Sequence, residues 1–371
     1  MGHAQTARNG EIDFWKFFFS LMVVQFHSSN MTALKTIPWI GAGPAVEFFF
    51  LISGYFMAAS ILRRSTPSVW IGHDTRDFLL HKIHGICPEI FIAWGIGFVV
   101  QHLAKEHVTA VTLLKDLLTG IWDLFFLRES GLVGFVANPA AWYISAMLLA
   151  MLLLVPLFLK NPELFVYVWA PAIALAALGY LCKTVGNLRG LTDWLGFCYK
   201  GVLRALGVLC TGVICYAVCN RIRQVRFSTL GKILLTVLEL SCFLTMIVWC
   251  YGHRGSRMDY VMLLLLAAAV VVVCSGQSLI SGFFQKSYFY FFGKLSLPLY
   301  LGHNYWSHAL PRLFPKQDYA QLYPKYAAAA AVTTAGIYFA AKGMRKIAPS
   351  FFRQCRKRLL QQGPGGQEKY M

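Results

Sequence analysis

The stretch that decides the fold is Glu11-Ile-Asp-Phe-Trp-Lys16-Phe-Phe-Phe-Ser-Leu-Met-Val-Val-Gln-Phe-His27-Ser28, which is apolar enough to enter a membrane yet carries ionisable groups at both ends. With a rise of about 1.5 Å per residue, His27 lies about 16 Å further along a helix than Lys16. An ionisable side chain at that depth is costly, so it usually faces the bundle interior and marks a functional site. A histidine hydrogen-bonded between helices is the structural alternative.

The composition is that of an integral membrane protein. The chain has 371 residues, of which 57% are hydrophobic and 13% are charged, whereas soluble proteins carry about 25% charged residues. Its net charge of +18 is attributed to cationic helix flanks that face anionic lipid, so no nucleic-acid partner is expected. Most of the ten cysteines lie inside apolar runs, and no CxxC pair occurs. We therefore expect neither a disulfide framework nor a metal site.

Apolar runs of about 17 to 25 residues predict about ten transmembrane helices in an all-α fold. These runs cover residues 12–30, 44–62, 86–103, 141–159, 163–182, 201–219, 232–251, 260–276, 295–313 and 325–343. The stretch 108–136 is interrupted by Lys115, Asp116 and Asp123. It is interpreted as an amphipathic or re-entrant segment rather than a span.

The distribution of positive charge predicts the orientation. With the N-terminus in the cytoplasm, the inner segments carry 21 Lys and Arg residues and the outer segments carry 13. Because cytoplasmic loops are enriched in these residues, both termini are predicted to be cytoplasmic. We expect a single transmembrane domain over residues 1–343 and a basic tail over residues 344–371 that rests on anionic lipid.

The second predicted span begins with an acid, Glu47, at a depth similar to that of His27. A carboxylate beside an imidazole fixes its tautomer and stabilises the imidazolium that forms when it takes a proton. Glu47 could equally cap the start of its own helix, where the dipole favours negative charge. The following Ser53-Gly54 pair favours close helix packing over a nucleophile.

Further ionisable groups lie near other span ends. His81-Lys82-Ile-His84 precedes Pro88 on the predicted cytoplasmic side, where the cations could contact lipid phosphates or the phosphates of a nucleotide-bearing cofactor. A second histidine, His303, follows Pro298 in the ninth predicted span. Arg204 lies near the outer start of the sixth span, and snorkelling to the interface is its simplest interpretation.

Five segments, in this order, resemble the membrane acyltransferase-3 family. They are Val23-Val-Gln-Phe-His27, Val46-Glu-Phe-Phe-Phe-Leu-Ile-Ser-Gly-Tyr55, the basic run before Pro88, Ala141-Trp-Tyr-Ile-Ser145 and Ser296-Leu-Pro-Leu-Tyr-Leu-Gly-His303. Members of this family are bacterial-type multi-span enzymes that O-acylate cell-surface carbohydrates. The similarity covers almost the whole chain.

The resemblance implies an activity and a location. An acyl group, most simply acetyl, would pass from cytoplasmic acyl-CoA to a hydroxyl of a surface or lipid-linked carbohydrate, at a bacterial cytoplasmic membrane. In that scheme His27 is the general base and Glu47 orients it, as an adjacent base activates a weak oxygen nucleophile. No metal is implied.

The resemblance also assigns a binding role to several cations. Lys16 matches the family arginine that stands eleven residues before the first histidine. Lys82 and Gly85 match two arginines before the proline, so His84 becomes a stand-in for the second of them. Contacts to acyl-CoA are expected from Lys16, Lys82, His84 and Lys294. The passage for the substrates is expected to be lined by Trp142, Arg204, Ser296, Tyr300 and His303.

Two other classes of function fit the same residues. A proton-coupled transporter or flippase could use the buried His and Glu groups as a proton relay. A non-catalytic membrane partner or sensor is the other alternative, because Gly85 departs from the family pattern.

Overall fold

A computed structural model describes residues 8–33, 37–64, 68–132, 134–189, 193–253 and 255–347. This part of the chain is helical and contains no strand beyond an isolated bridge between Trp194 and Tyr199. The predicted basic tail lies outside the described residues, except for its first four, which belong to the last helix.

Fourteen α-helices follow one another along the described chain. They are α1 (Gly10–His27), α2 (Ala45–Leu62), α3 (Ile71–Leu103), α4 (Ala110–Thr119), α5 (Ile121–Leu124), α6 (Trp142–Lys160), α7 (Pro162–Leu164), α8 (Ala170–Thr184), α9 (Lys200–Gln224), α10 (Thr229–Gly252), α11 (Met258–Ser275), α12 (Ser287–Gly302), α13 (Asn304–Leu313) and α14 (Tyr319–Ile347). A π-helical segment, Phe165–Trp169, joins α7 to α8.

Seven of the described helical stretches are long and apolar enough to cross a membrane, and the protein is an integral membrane protein. They comprise α2, α3, α6 with the turn before it, the composite Pro162–Thr184, α9, α10 and α11. The three other predicted spans are helical as well. However, α1 carries Glu11, Asp13 and Lys16, and α14 is less apolar than the seven. The count of ten spans and the orientation of the termini stay predictions.

The ninth predicted span, 295–313, is not continuous, which corrects the sequence interpretation. It consists of α12 and α13, which meet at His303. Side chains from elsewhere satisfy the carbonyl groups at the end of α12: Asn138 donates to Leu301 O at 3.0 Å, and Thr333 donates to Gly302 O at 2.7 Å. A broken helix is tolerated inside a bundle when the freed backbone groups find partners in this way.

The bundle is held together by close helix pairs. A Cβ atom at Gly54 of α2 would lie 2.1 Å from Leu209 O of α9, and one at Gly212 would lie 2.2 Å from Leu51 O. Glycine at these two positions therefore lets the two backbones approach closely, as small residues do in membrane bundles. On another side of the bundle α1 packs on α12, and Trp15 of α1 stacks on Phe243 of α10 with ring centroids 3.7 Å apart.

The stretch 108–136 forms short helices rather than a span. None of the residues of α4 is buried, and its apolar side chains, such as Leu114, are exposed. Asp116 ties this helix to α3 by accepting hydrogen bonds from Lys105 at 2.6 Å and His102 at 3.0 Å.

Candidate functional site

A cavity of about 640 Å³ lies between α1, α2, α3, α6 and α12. Along α2 its lining runs from Phe49 through Ser53 and Phe56 to Arg63, the residue that follows the end of this helix. These four positions fall on one face of the helix because their spacings follow its period. Phe49 and Arg63 are fourteen positions apart, which corresponds to about 21 Å along a helix. The cavity is therefore elongated, and its volume is typical of a small-molecule site.

One end of the cavity is strongly cationic. Among the described residues that line it, five are basic, namely Arg8, Lys16, Arg63, Lys82 and Arg223, and one, Asp13, is acidic. This excess of positive charge favours an anionic ligand, because field lines concentrate in a cleft with low-dielectric walls.

Several of these cations are already bound to protein groups. Arg8 and Lys16 both pair with Asp13, the latter at 3.9 Å. Arg223 donates to the Tyr55 hydroxyl at 3.1 Å and to the carbonyl of Cys274.

Lys82 differs from them. Within the described residues it donates no hydrogen bond to any protein acceptor, and it is close enough to Lys16 for the two ammonium groups to repel each other. An anion between the two lysines would relieve this repulsion and gain charge-assisted hydrogen bonds.

The other end of the cavity is aromatic. Phe49, Tyr143 and Tyr300 all line it, and their ring centroids lie 5.8 to 6.0 Å apart in each pair. Ser296, one turn before Tyr300 on α12, also lines the cavity. The lining thus changes from cations to aromatic rings along its length.

A pair of histidines lies beyond the aromatic end. The Tyr300 ring centroid is 6.1 Å from that of His303, which in turn is 5.1 Å from that of His27. His303 is fully buried; its Nδ1 lies 3.2 Å from Leu299 O, and its Nε2 has no hydrogen-bond partner among the described residues. His27 is half-buried, and its Nε2 lies 3.5 Å from the Asn304 side-chain nitrogen. The break between α12 and α13 therefore brings His303 and Asn304 to the end of α1.

Glu47 does not contact His27 through a hydrogen bond in the described structure, which corrects the expectation that it orients this histidine. Its Oε1 instead accepts hydrogen bonds from Nε and Nη2 of Arg204, the former at 2.9 Å. Both side chains are buried, so Arg204 does not snorkel to the interface as the sequence suggested. A buried ion pair of this kind joins α2 to α9.

Trp142 belongs to the same buried cluster rather than to the cavity lining. The guanidinium of Arg204 lies 5.1 Å from its ring centroid, in a cation–π contact. Its neighbour Tyr143 is the residue of this motif that lines the cavity. The ion pair and the indole therefore support the cavity wall from behind.

His84 and Lys294 do not line the cavity. Lys294 is exposed on α12, and His84 is half-buried on α3. Gly85 is exposed as well, and a Cβ atom there would meet no neighbour within 4 Å. An arginine does reach this position from α14: Arg345 donates to Gly85 O at 2.9 Å and forms two 2.7 Å hydrogen bonds with Glu89.

No sequence pattern predicted a role for Phe49, Tyr143, Arg223 or Asn304. For Phe49 a signal was present, because Phe49, Ser53, Phe56 and Arg63 recur at helical spacing. Arg223 and Asn304 reach the site only through the packing of distant helices, which no local pattern reports. Within the described residues, no group of three or more His, Cys, Asp and Glu side chains could hold a metal ion.

Comparison with known proteins gives one match. A family model described as an acyltransferase domain matches residues 9–342 of the chain. No curated protein and no solved structure matches the chain significantly.

Proposed function

The chain belongs to the acyltransferase-3 family, and on that premise we propose that it transfers an acyl group from acyl-CoA to a hydroxyl of a cell-surface or lipid-linked carbohydrate. The observation that supports this most strongly is the elongated cavity, which has basic residues at one end and a histidine pair just beyond the other. With the predicted orientation, the basic end faces the cytoplasm, where acyl-CoA is found. As the family resemblance implies, the membrane would be a bacterial cytoplasmic membrane.

The phosphates of acyl-CoA would bind at the basic end of the cavity. Lys16 and Lys82 provide ammonium groups there, and Asp13 neutralises only part of the local charge. The thioester would then lie at the aromatic end, because the cavity measures about 21 Å along α2 and can hold an extended chain. Tyr300 separates that end from the two histidines.

His27 would act as the general base. It is half-buried and next to Asn304, so an acceptor hydroxyl can approach it more easily than the fully buried His303. The imidazole takes the hydroxyl proton as the oxygen forms a bond to the thioester carbonyl carbon. The carbon–sulfur bond then breaks, and the sulfur leaves as the CoA thiol after it receives that proton. The products are the ester and free CoA.

Replacing His27 by Ala tests this assignment. Acyl transfer by the purified protein should fall about 10²- to 10⁴-fold, because this is the usual contribution of a general base. The assay measures radiolabelled acetyl transferred from acetyl-CoA to extracted surface carbohydrate. His253→Ala is the control, because His253 is exposed, stacks on Trp249 and has its Nδ1 3.2 Å from Trp249 O, outside the cavity lining. Transfer at the wild-type rate by the His27→Ala protein would show that another group is the base.

The acceptor can be sought in cells. Mass spectrometry of surface carbohydrates from cells with and without the protein should show an ester-linked acyl group only when the protein is present. Flux of a labelled solute into vesicles, without any acyl transfer, would instead support a transporter.

A further inference from the structure

Three aromatic rings at the end of the cavity all contact one another. Each of Phe49, Tyr143 and Tyr300 lies within 6.0 Å of the other two by ring centroid. They come from three different helices, α2, α6 and α12. Contacts at these distances are typical of packed aromatic pairs.

The rings lie between the cavity and the histidine pair. All three line the cavity, whereas His27 and His303 do not. Tyr300 is the link, since its ring contacts both Phe49 and His303. A molecule that enters from the basic end therefore meets these rings before it can reach either histidine.

The rings stand at the end of the cavity away from the basic residues. A chain whose phosphates lie at the basic end and which extends along α2 for about 21 Å therefore meets the rings with its far end.

Neighbouring groups hold Tyr143 in place. Its hydroxyl lies 3.2 Å from Ser53 Oγ and 3.6 Å from Met147 Sδ, and its ring centroid is 4.5 Å from that of the buried Phe50. Phe49, in contrast, is half-buried and faces the cavity. Among the three rings, Phe49 is therefore the one whose size can change with least effect on its surroundings.

We propose that Phe49, Tyr143 and Tyr300 limit the length of the acyl group, so that the protein accepts acetyl-CoA and discriminates against longer acyl donors. This inference rests on the proposed function. With the phosphates held at the basic end, the acyl group is the part of the donor that meets the rings. Each added methylene must fit between the rings or move the thioester carbonyl back from the histidines. Discrimination of one methylene in a closed apolar site is about 10- to 200-fold.

Enlarging the closed end tests the proposal. Purified wild-type protein is assayed with acetyl-CoA and butyryl-CoA, and the ratio of the two kcat/KM values is measured. We expect the wild type to prefer acetyl-CoA and Phe49→Ala to lower this preference at least about tenfold, because the phenyl ring no longer occupies the end of the cavity. The ratio does not depend on the amount of folded protein, since both donors are assayed with the same preparation.

Two matched variants locate the effect. Tyr143→Phe keeps the ring and removes only the hydroxyl, so it should keep the wild-type ratio. Phe56→Ala also enlarges the cavity, but near Lys16, whose ammonium lies 5.4 Å from the Phe56 ring centroid, so its ratio should not change either. If Phe49→Ala does not fold, Phe49→Leu should shift the ratio in the same direction by less.

The outcomes separate the two proposals. If the wild-type protein transferred an acyl group from neither acetyl-CoA nor butyryl-CoA, the proposed function would be overturned. A wild type that transfers acetyl but uses butyryl-CoA equally well would overturn only the length limit. The same conclusion would follow if Phe49→Ala and Phe49→Leu kept the wild-type ratio, or if Phe56→Ala changed it as much.

Discussion

Replacing Lys82 by Ala should weaken the binding of acyl-CoA and leave the acceptor dependence unchanged. Lys82 lines the basic end of the cavity and, within the described residues, donates no hydrogen bond to the protein. Its ammonium group is therefore available to a ligand. Lys294 provides a matched control, because it is also a lysine on a membrane-domain helix but is exposed outside the cavity lining.

The size of the effect follows from the free energy of the hydrogen bond that Lys82 can donate to a charged group. A hydrogen bond to a charged group contributes about 1.5–3 kcal/mol, which corresponds to an increase of about 10- to 150-fold in the KM for acyl-CoA. Lys16 and Arg8 share Asp13, and Arg223 is bound to backbone and hydroxyl oxygens. These cations can therefore replace Lys82 only in part, and we expect the upper half of that range at low salt.

The assay is a titration of acyl-CoA at saturating acceptor, repeated for the acceptor at saturating acyl-CoA. Lys82→Ala should raise only the first KM, and Lys294→Ala should raise neither. If Lys82 instead contacts lipid head groups, both KM values stay at the wild-type level while the protein unfolds more easily in detergent. That result would refute the assignment of the basic end to the donor phosphates. A larger effect from Lys294→Ala than from Lys82→Ala would refute it as well.

Two further predictions concern stability. Arg204→Met should destabilise the protein by about 3–5 kcal/mol, because it leaves the carboxylate of Glu47 buried without its partner. Adding Glu47→Leu to the same chain should recover most of this loss in a detergent unfolding assay. A double variant no more stable than Arg204→Met alone would contradict this account. Burial raises the pKa of Glu129, which lies in the loop before α6, from 4.5 to about 7. Its proton therefore stabilises the folded state fully below pH 4.5, and this contribution, about 3 kcal/mol, is lost as the pH rises through 7. Glu129→Gln should accordingly lose less stability between pH 5 and 8 than the wild type, and equal losses in thermal unfolding would show that Glu129 does not titrate in this range.

The membrane character of the protein and much of its helix content could be predicted from the sequence. Long apolar runs specify helices in a membrane, because only a helix satisfies every backbone hydrogen bond within one segment. The sequence also placed Lys16 and His27 at opposite ends of one helix, which α1 confirms. The prediction of a continuous ninth span was wrong. The helix can break there because the carbonyl groups at the end of α12 are satisfied by Asn138 and Thr333, which lie far away in the chain.

The pairing of functional residues was decided by the tertiary structure alone. Position along the chain suggested that Glu47 faces His27, but Glu47 binds Arg204, 157 residues away, and His27 meets His303 instead. A buried membrane helix such as α2 is apolar on nearly all sides, so its periodicity does not reveal which neighbour each side contacts. Sequence spacing therefore determined where each ionisable group lies along its own helix in this protein. The close approach of helices at positions such as Gly54 decided which of those groups meet, because backbone contact fixes how each helix is rotated against its neighbours.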